Sequence, residues 1–292
     1  MESIINIAVS SNANYFDGLL ALIKSLRKKT PRKYNLRFFY LNDKELSYSQ
    51  NKKICNSLNK SDEFIFCDTS IFQNDICKIK FTLSNWDSSI MNRLFIPIKF
   101  KNLVDKIIYI DTDIIVNDNI YNFYSNTDSC LIKGLQEQRD ENITFINQYH
   151  IRDNLYLNSG VLVFNFKQWD VLFPNDTKYL DVIKKYSKNN FLYPDQDLIN
   201  IIFDGYKRGE PLQKYEFVPG ISLPKHKKYM FIHFASKPKP WEQNGFKRGY
   251  FLKFKRYVLK ISDTLLIIKR ILFVTILLIS KFFPFFRKYI KY

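Results

Sequence analysis

The first 67 residues alternate short apolar runs with amphipathic stretches, and that alternation constrains the fold more than any other feature of the chain. Residues 4–9, Ile-Ile-Asn-Ile-Ala-Val, read as a buried strand. Residues 15–29 follow as a helix, with Phe16, Leu19, Leu20, Ile23 and Leu26 at helical spacing, and Thr30-Pro31 stops it. Residues 36–41 make a second strand, 44–58 a second helix and 63–67 a third strand. This order predicts the α/β class, a mostly parallel sheet covered by helices. Residues 88–100 are expected to be helical with a kink before Pro97. Residues 106–110 form an apolar strand that runs straight into Asp111-Thr112-Asp113. Further strands are predicted at 130–135, 159–166 and 230–234, and helices at 168–186 and 195–203. The chain carries no internal repeat and no low-complexity linker.

A length of 292 residues suits one main α/β domain with a substantial core, and 46% hydrophobic residues argue against disorder. Charge is less ordinary. Lys and Arg number 45 against 28 acids, a net charge of +17 that disfavours a compact state unless an anionic partner offsets it. Residues 251–292 hold ten Lys/Arg and one acid, Asp263, so +9 of the excess lies in the tail and +8 in the first 250 residues. The basic residues outside the tail are not interleaved with aromatics and match no nucleic-acid-binding motif, so nucleic acid is not the expected partner. Cys55, Cys67, Cys77 and Cys130 lack C-x-x-C spacing, and the N-terminus lacks a secretory pattern. A reduced, cytoplasmic protein is expected, with the cysteines serving as small, partly buried hydrophobes.

Asp111 and Asp113 follow the C-terminal end of a predicted strand, the edge at which open α/β sheets collect ligands. In an extended segment, residues two apart face the same way, so both carboxylates would point to one side and Thr112 to the other. Hard oxygen ligands with open positions suit Mg²⁺ or Mn²⁺ bridging to a diphosphate. A lone D-x-D is also a common solvated strand end.

Six segments, taken in order over about 240 residues, make the pattern far more specific. They are Ile7-Ala8-Val9-Ser10 through Asn14-Tyr15, Asn92-Arg93-Leu94, Tyr109-Ile110-Asp111-Thr112-Asp113, Leu157-Asn158-Ser159-Gly160-Val161, Pro194-Asp195-Gln196-Asp197, and His233-Phe234 through Lys239-Pro240-Trp241. Together they resemble the family 8 retaining glycosyltransferases, which include lipopolysaccharide galactosyl- and glucosyltransferases and glycogenin. The resemblance implies a Rossmann-like nucleotide-binding fold of the GT-A kind over residues 1–250. It also implies Mn²⁺, or Mg²⁺, held by Asp111, Asp113 and His233, a mixed oxygen and nitrogen set that manganese accepts. His150 and His226 have no such context and read as surface or packing residues.

The same resemblance assigns the remaining roles. Arg93 and Lys239 match positions that meet the diphosphate of a UDP-sugar donor, alongside Thr112 of the D-x-D segment, and cations there would stabilise a departing nucleotide. Ser10, Asn12 and Asn14 match the nucleotide-holding loop, where the residue aligned with Asn12 is usually an aspartate that accepts a hydrogen bond from uracil. Asn158, Asp195, Gln196 and Asp197 match residues around the transferred sugar, with Gln196 near the reacting carbon. Retention requires a covalent intermediate or same-face attack. Asp197 is the candidate carboxylate for the first, and Gln196 would support the sugar cation in the second. Pro-Asp-Gln-Asp also reads as a helix N-terminus with Asp195 as its cap and Asp197 favoured by the dipole. The acceptor side is unmatched between residues 136 and 154; a lipid-linked saccharide, most simply a growing lipopolysaccharide core, is expected, with a protein or soluble glycan as the alternative.

In the tail the longest uncharged run, 271–280, has ten residues, where a membrane span needs about 20. A longer span would bury Lys269 and Arg270 at roughly 2.5–3.5 kcal/mol each. Lys260, Asp263, Thr264, Arg270, Thr275 and Lys281 fall within an arc of about 140°, giving an imperfect amphipathic helix, and Phe282-Phe283-Pro284-Phe285-Phe286-Arg287-Lys288 follows it. Residues 251–292 are therefore expected to lie on an anionic leaflet, attaching the protein to the inner face of the cytoplasmic membrane, with a membrane span or a helix packed back on the domain or a partner as the alternatives.

Overall fold

In the computed structural model, which describes residues 3–70, 87–127, 129–167, 169–219, 228–242, 244–247, 251–259 and 264–282, the N-terminal apolar run is strand β1, Ser3–Ser10. Its side chains alternate between two cores. Ile5, Ile7 and Val9 pack on one face and Ala8 on the other, all without solvent exposure. The Phe16–Lys29 helix covers the first face and returns the chain to β2, Tyr34–Asn42, which pairs parallel with β1. β3, Glu63–Asp68, adds in parallel outside β2. The intervening helix is shorter than expected, Tyr48–Cys55, because Ser47 and Gln50 form a reciprocal capping box that starts it four residues later than predicted.

Residues expected as one kinked helix are a 3₁₀ segment, Ser88–Phe95, followed by a short helix, Ile96–Phe100, with Pro97 in its first turn. β4, Lys106–Ile110, has the predicted bounds and lies on the other side of β1. The chain then makes β5 (Ile114–Val116), β6 (Ile132–Gln136), β7 (Leu157–Asn165), β8 (Lys207–Pro211), β9 (Glu216–Phe217) and β10 (Phe231–His233). Seven strands form a sheet of order β3-β2-β1-β4-β7-β6-β8, and β5-β10-β9 form a second, smaller sheet. β7 runs antiparallel to both β4 and β6, so the sheet is mixed but mostly parallel, as expected. The winding direction reverses between β1 and β4, which opens a crevice beyond their carboxyl ends.

The helix expected over 168–186 is two helices, Trp169–Leu172 and Asp176–Tyr186. Pro174 interrupts the ladder and Asn175 caps the second piece by accepting from Lys178 N. The Pro194–Ile202 helix starts one residue earlier than predicted. A helix at Asp140–Tyr149 was not predicted, and His150 ends it in the left-handed region at φ 53°. Cys67 and Cys130 are buried but Cys55 is exposed, and Cys77 and His226 lie outside the described residues.

The tail divides physically at Leu259. Phe254, Tyr257 and Val258 of the Phe251–Val258 helix belong to the core under the first helix, whereas the Thr264–Phe282 helix touches the rest through the Gly245–Lys247 turn, with Phe273 edge-on to Phe246. No helix among the described residues is long and apolar enough to cross a membrane.

Candidate active site

The D-x-D segment is a tight turn, which corrects the expectation of an extended segment with alternating sides. β4 ends at Ile110; Asp111 N still donates to Gly160 O (2.8 Å), and Ile114 N donates back to Asp111 O (3.2 Å). The two carboxylates converge because the turn folds them over β7. Thr112, expected at the nucleotide, is buried instead, its carbonyl against the Phe16–Lys29 helix at Gly18. A Cβ on Gly18 would lie 2.5 Å from Thr112 O and 2.8 Å from Trp241 Cη2, so only glycine lets this helix support the turn so closely.

His233, 120 positions after Asp113, reaches the turn through the smaller sheet. β10 pairs antiparallel with β5 so that His233 stands opposite Ile114, and Phe234 N donates to Asp113 O (2.9 Å). One ligand atom each from Asp111, Asp113 and His233 lie within 4.8 Å of one another. A Cβ on Gly160 would sit 3.0 Å from His233 Cε1 and 3.1 Å from Asp111 Oδ2, so a larger residue at the floor of this cluster would press on two of the three ligands. Glu216, the first residue of β9, stands 3.2 Å from His233 Nδ1 and so leaves Nε2 facing Asp113 Oδ1, also at 3.2 Å. A carboxylate on the far ring nitrogen is the usual orienting partner of a metal-ligating histidine. Two carboxylates, an oriented imidazole and a glycine floor fit a divalent cation.

The charges of this cluster are balanced by protein groups. Lys239 Nζ donates to Asp113 Oδ2 (2.6 Å) and Phe234 O (2.7 Å) and is buried. Burial would raise the Asp113 carboxyl, but His233 and Lys239 outweigh it and hold the group well below the usual carboxylate range. Burial would likewise lower His233, yet Glu216 and Asp113 hold it well above the ordinary histidine value. Asp111 is raised, by burial first, with Arg93 opposing and Asp113 adding to the rise. Binding a cation at this set therefore requires His233 to release a proton.

Arg93, expected to face the diphosphate, is buried and engaged by protein groups. It donates through Nη2 to Asp111 Oδ1 (2.9 Å), through Nη1 to Ser159 O (2.7 Å) and Ser159 Oγ (2.8 Å), and through Nε to Ile90 O (3.0 Å). Nη1 also lies 3.1 Å from Asp195 Oδ2, and the guanidinium sits 4.6 Å from the centre of the Tyr109 ring. The helix cap differs accordingly: Asp195 pairs with Arg93, Tyr193 holds the cap position, and Asp197 Oδ2 accepts from Tyr193 N (3.1 Å).

Gln196 Oε1 accepts from Ser159 N (2.9 Å), and Asn158 Oδ1 accepts from Gly160 N (2.8 Å). Their amide nitrogens both turn to Glu137, at 3.4 Å from Gln196 and 2.8 Å from Asn158. Asp197 is pushed up to about 6 by burial, against the lowering effect of the Tyr156 hydroxyl bound to its Oδ1. The four residues expected around a sugar are thus brought together at one end of β7. Sequence reasoning missed Glu137, Glu216 and Tyr156; Glu137 falls in the unmatched stretch, Tyr156 lies just before the matched segment 157–161, and no motif surrounds Glu216.

At the end of β1, Ser10 Oγ donates to Ser89 O (3.3 Å) and accepts from Asn92 Nδ2 (3.0 Å). Asn12 Oδ1 accepts from Asn14 N (3.0 Å), and Asn12 Nδ2 donates to Asp87 (3.2 Å). Asn14 is exposed at the mouth of the crevice. The Ser88–Phe95 segment therefore ties this loop to the acidic turn through Arg93.

Comparison with known proteins bears on the same residues. The profile described as glycosyl transferase family 8 matches residues 6–245. A putative glycosyltransferase of Haemophilus influenzae is 28% identical over 207 residues, 68% of this chain and 59% of that protein. The chain thus spans about three-fifths of the length of that relative. The lipopolysaccharide 1,2-glucosyltransferase of Escherichia coli is 22% identical over 257 residues, 82% of this chain and 73% of that one. Among solved structures, the galactosyltransferase LgtC in complex with donor and acceptor sugar analogues superposes with a TM-score of 0.67 at 18% identity, covering 87% of this chain and 95% of that one.

Proposed function

Because the chain belongs to glycosyl transferase family 8 and has its GT-A fold, we propose that it transfers a hexose, galactose or glucose, from a UDP-sugar to a saccharide acceptor, with retention at the anomeric carbon, in surface-glycan assembly. The observation that carries this reading is the convergence of Asp111 and Asp113 with His233, 120 positions further along the chain, within 4.8 Å at the crevice where the sheet reverses. When bound there, Mn²⁺ or Mg²⁺ would supply Lewis-acid neutralisation of the diphosphate charge. Lys239, held at the same crevice by Asp113 and the Phe234 carbonyl, adds a fixed cation for the departing nucleotide. Arg93 acts behind Asp111 and Asp195, holding both carboxylates in place. Glu137 fixes the amides of Asn158 and Gln196, so that their orientation is set before a sugar arrives. Both oxygens of Asp197 are occupied, by Tyr156 and by the Tyr193 amide. That occupancy favours same-face attack supported by Gln196 over a covalent intermediate on Asp197. The test is UDP release from UDP-galactose and UDP-glucose, with Mn²⁺ and with a chelator, paired with calorimetric binding of each donor. Metal-dependent turnover of one of them is expected, and its absence across the common UDP-sugars would refute the proposal.

The acceptor in this reading is lipid-linked, and residues 264–292 bring the enzyme to it at an anionic inner leaflet. Support comes from the outward face of the Thr264–Phe282 helix, where Leu265, Ile268, Ile271, Leu272, Ile276 and Ile279 are each about half exposed. Lys269 sits on that face too, whereas Arg270 turns inward over Phe273 and is not part of a solvated basic stripe. Each apolar side chain withdrawn from water contributes about 1.5–3 kcal/mol, and each nearby cation about 1 kcal/mol at a charged surface. A chain ending at Leu259 keeps the core-packed helix Phe251–Val258. It is expected to retain its melting temperature and donor binding but to lose sedimentation with phosphatidylserine vesicles; undiminished sedimentation would remove the tail from this role.

A further inference from the structure

An asparagine in a base-holding loop is ambiguous where an aspartate is not. A carboxylate only accepts, so it selects a base that offers a ring N–H. An amide accepts at one end and donates at the other. In one orientation it matches uracil, with its ring N–H beside a carbonyl; flipped, it matches cytosine, with its bare ring nitrogen beside an amino group. The identity of residue 12 alone therefore leaves the base undetermined.

Two neighbours of Asn12 remove the ambiguity. The Asn14 backbone N–H points at Oδ1 (3.0 Å), and a backbone N–H can only donate. Asp87 Oδ2 lies 3.2 Å from Nδ2, and an ionised carboxylate can only accept. Turning the amide over would set oxygen against carboxylate and nitrogen against N–H, so both partners enforce one orientation. Asp87 is itself fixed as the cap of the Ser88–Phe95 segment, with Oδ1 accepting from Ser89 N (2.9 Å). The Ser89 side chain first, against the opposing effect of burial and with help from the Ser89 backbone N–H and Asn12, holds its carboxyl below the usual range, so it is charged at neutral pH. Ser10 and Asn92 brace the same two segments against each other. Among the described residues Asn12 makes these two side-chain bonds, which leave it one oxygen lone pair and one N–H side by side.

We propose that Asp87 determines the nucleobase preference of this chain by locking the Asn12 amide with its oxygen presented as acceptor, which selects uracil over cytosine. Asp87 lies outside the loop it controls, 75 positions along the chain. The inference rests on the reading of the crevice as a nucleotide-sugar site.

The experiment is calorimetric titration of UDP and CDP, each with Mn²⁺, into the full-length chain and into D87S, N12D and the exchange variant N12D/D87N. Serine remains a competent cap for residues 88–95, so D87S keeps the fold, which its melting temperature verifies. The wild-type chain is expected to prefer UDP, and D87S to lose about tenfold of the UDP-to-CDP ratio. N12D sets two carboxylates against each other and weakens UDP binding; N12D/D87N restores the acceptor–donor pair with the partners exchanged and recovers both affinity and preference. A D87S protein with the wild-type ratio, or an exchange variant no better than N12D, overturns the proposal while leaving the donor site intact. A wild-type chain that binds neither nucleotide, or an Asp111→Asn variant that binds UDP as tightly as wild type, overturns the donor reading and this inference with it.

Discussion

Asp113→Asn is expected to eliminate metal-dependent donor binding and to lower turnover by about three orders of magnitude. A cation that neutralises diphosphate charge contributes several kcal/mol to the transition state, and each 1.36 kcal/mol is tenfold in rate. Asparagine preserves the shape of the side chain but presents an amide N–H to one of its two neighbours, His233 or Lys239, each of which already points a donor at it. The substitution also alters the pH dependence of stability, and the signs follow from the two shifts. Asp113 is depressed in the folded state, so its contribution is present above its unfolded value of about 3.9 and is lost as pH falls through the folded value. His233 is raised, so its contribution is complete below about 6.5 and is lost as pH rises through its folded value. At neutral pH the variant lacks the first and weakens the second. Wild-type protein is expected to gain several degrees in melting temperature on addition of Mn²⁺, with protons released as His233 is deprotonated; D113N is expected to gain none. A variant that kept the full Mn²⁺ shift would show that the ion sits elsewhere.

The parts of this arrangement that were legible in the sequence are those fixed by local pattern. β4 could be bounded to the residue because the apolar run 107–110, opened by Lys106, ends abruptly at a carboxylate. The alternation through residue 67 gave β1, β2, β3 and the first helix to within a few residues. His233 could be singled out because Lys239-Pro240-Trp241 stands at a fixed distance after it, and the structure places it at the turn through a three-residue pairing, β5 with β10. Of its strands only β10 was predicted, within 230–234; β5 and β9, Ile114–Val116 and Glu216–Phe217, carry too little periodicity to be read, which is why the smaller sheet was not foreseen as a sheet. Glu216 was invisible for the same reason: only the register of β9 against β10 brings it beside the imidazole. Asp87 and Glu137 act on residues in other segments, 75 and 21 or 59 positions away, and no local spacing encodes that. Arg93 was identified by position, but its burial was not, because a sequence shows a cation and not the two carboxylates that surround it.

That burial makes Arg93 an anchor of the site. Its guanidinium satisfies Asp111 and Asp195 at once while also holding Ser159 and Ile90 carbonyls. Arg93→Ala would leave two carboxylates facing each other across an apolar gap lined by Tyr109, and removing one partner of a buried charge network costs about 3–5 kcal/mol. At about 2–4 °C per kcal/mol for a domain approaching this size, the melting temperature is expected to fall by about 10 °C. Arg93→Lys keeps the charge but not the planar fork, so one ammonium cannot reach both carboxylates and both carbonyls, and most of the loss should persist. The mechanism predicts a specific non-additivity: Asp195→Asn placed on Arg93→Ala removes one of the orphaned charges and should recover part of the lost stability, although Asp195→Asn alone is destabilising. Differential scanning calorimetry on the four proteins completes this cycle. A pair of losses that simply add would mean that Arg93 and Asp195 do not act as one unit, and the guanidinium would then have to be assigned a role other than anchoring the acidic turn to the Pro194–Ile202 helix.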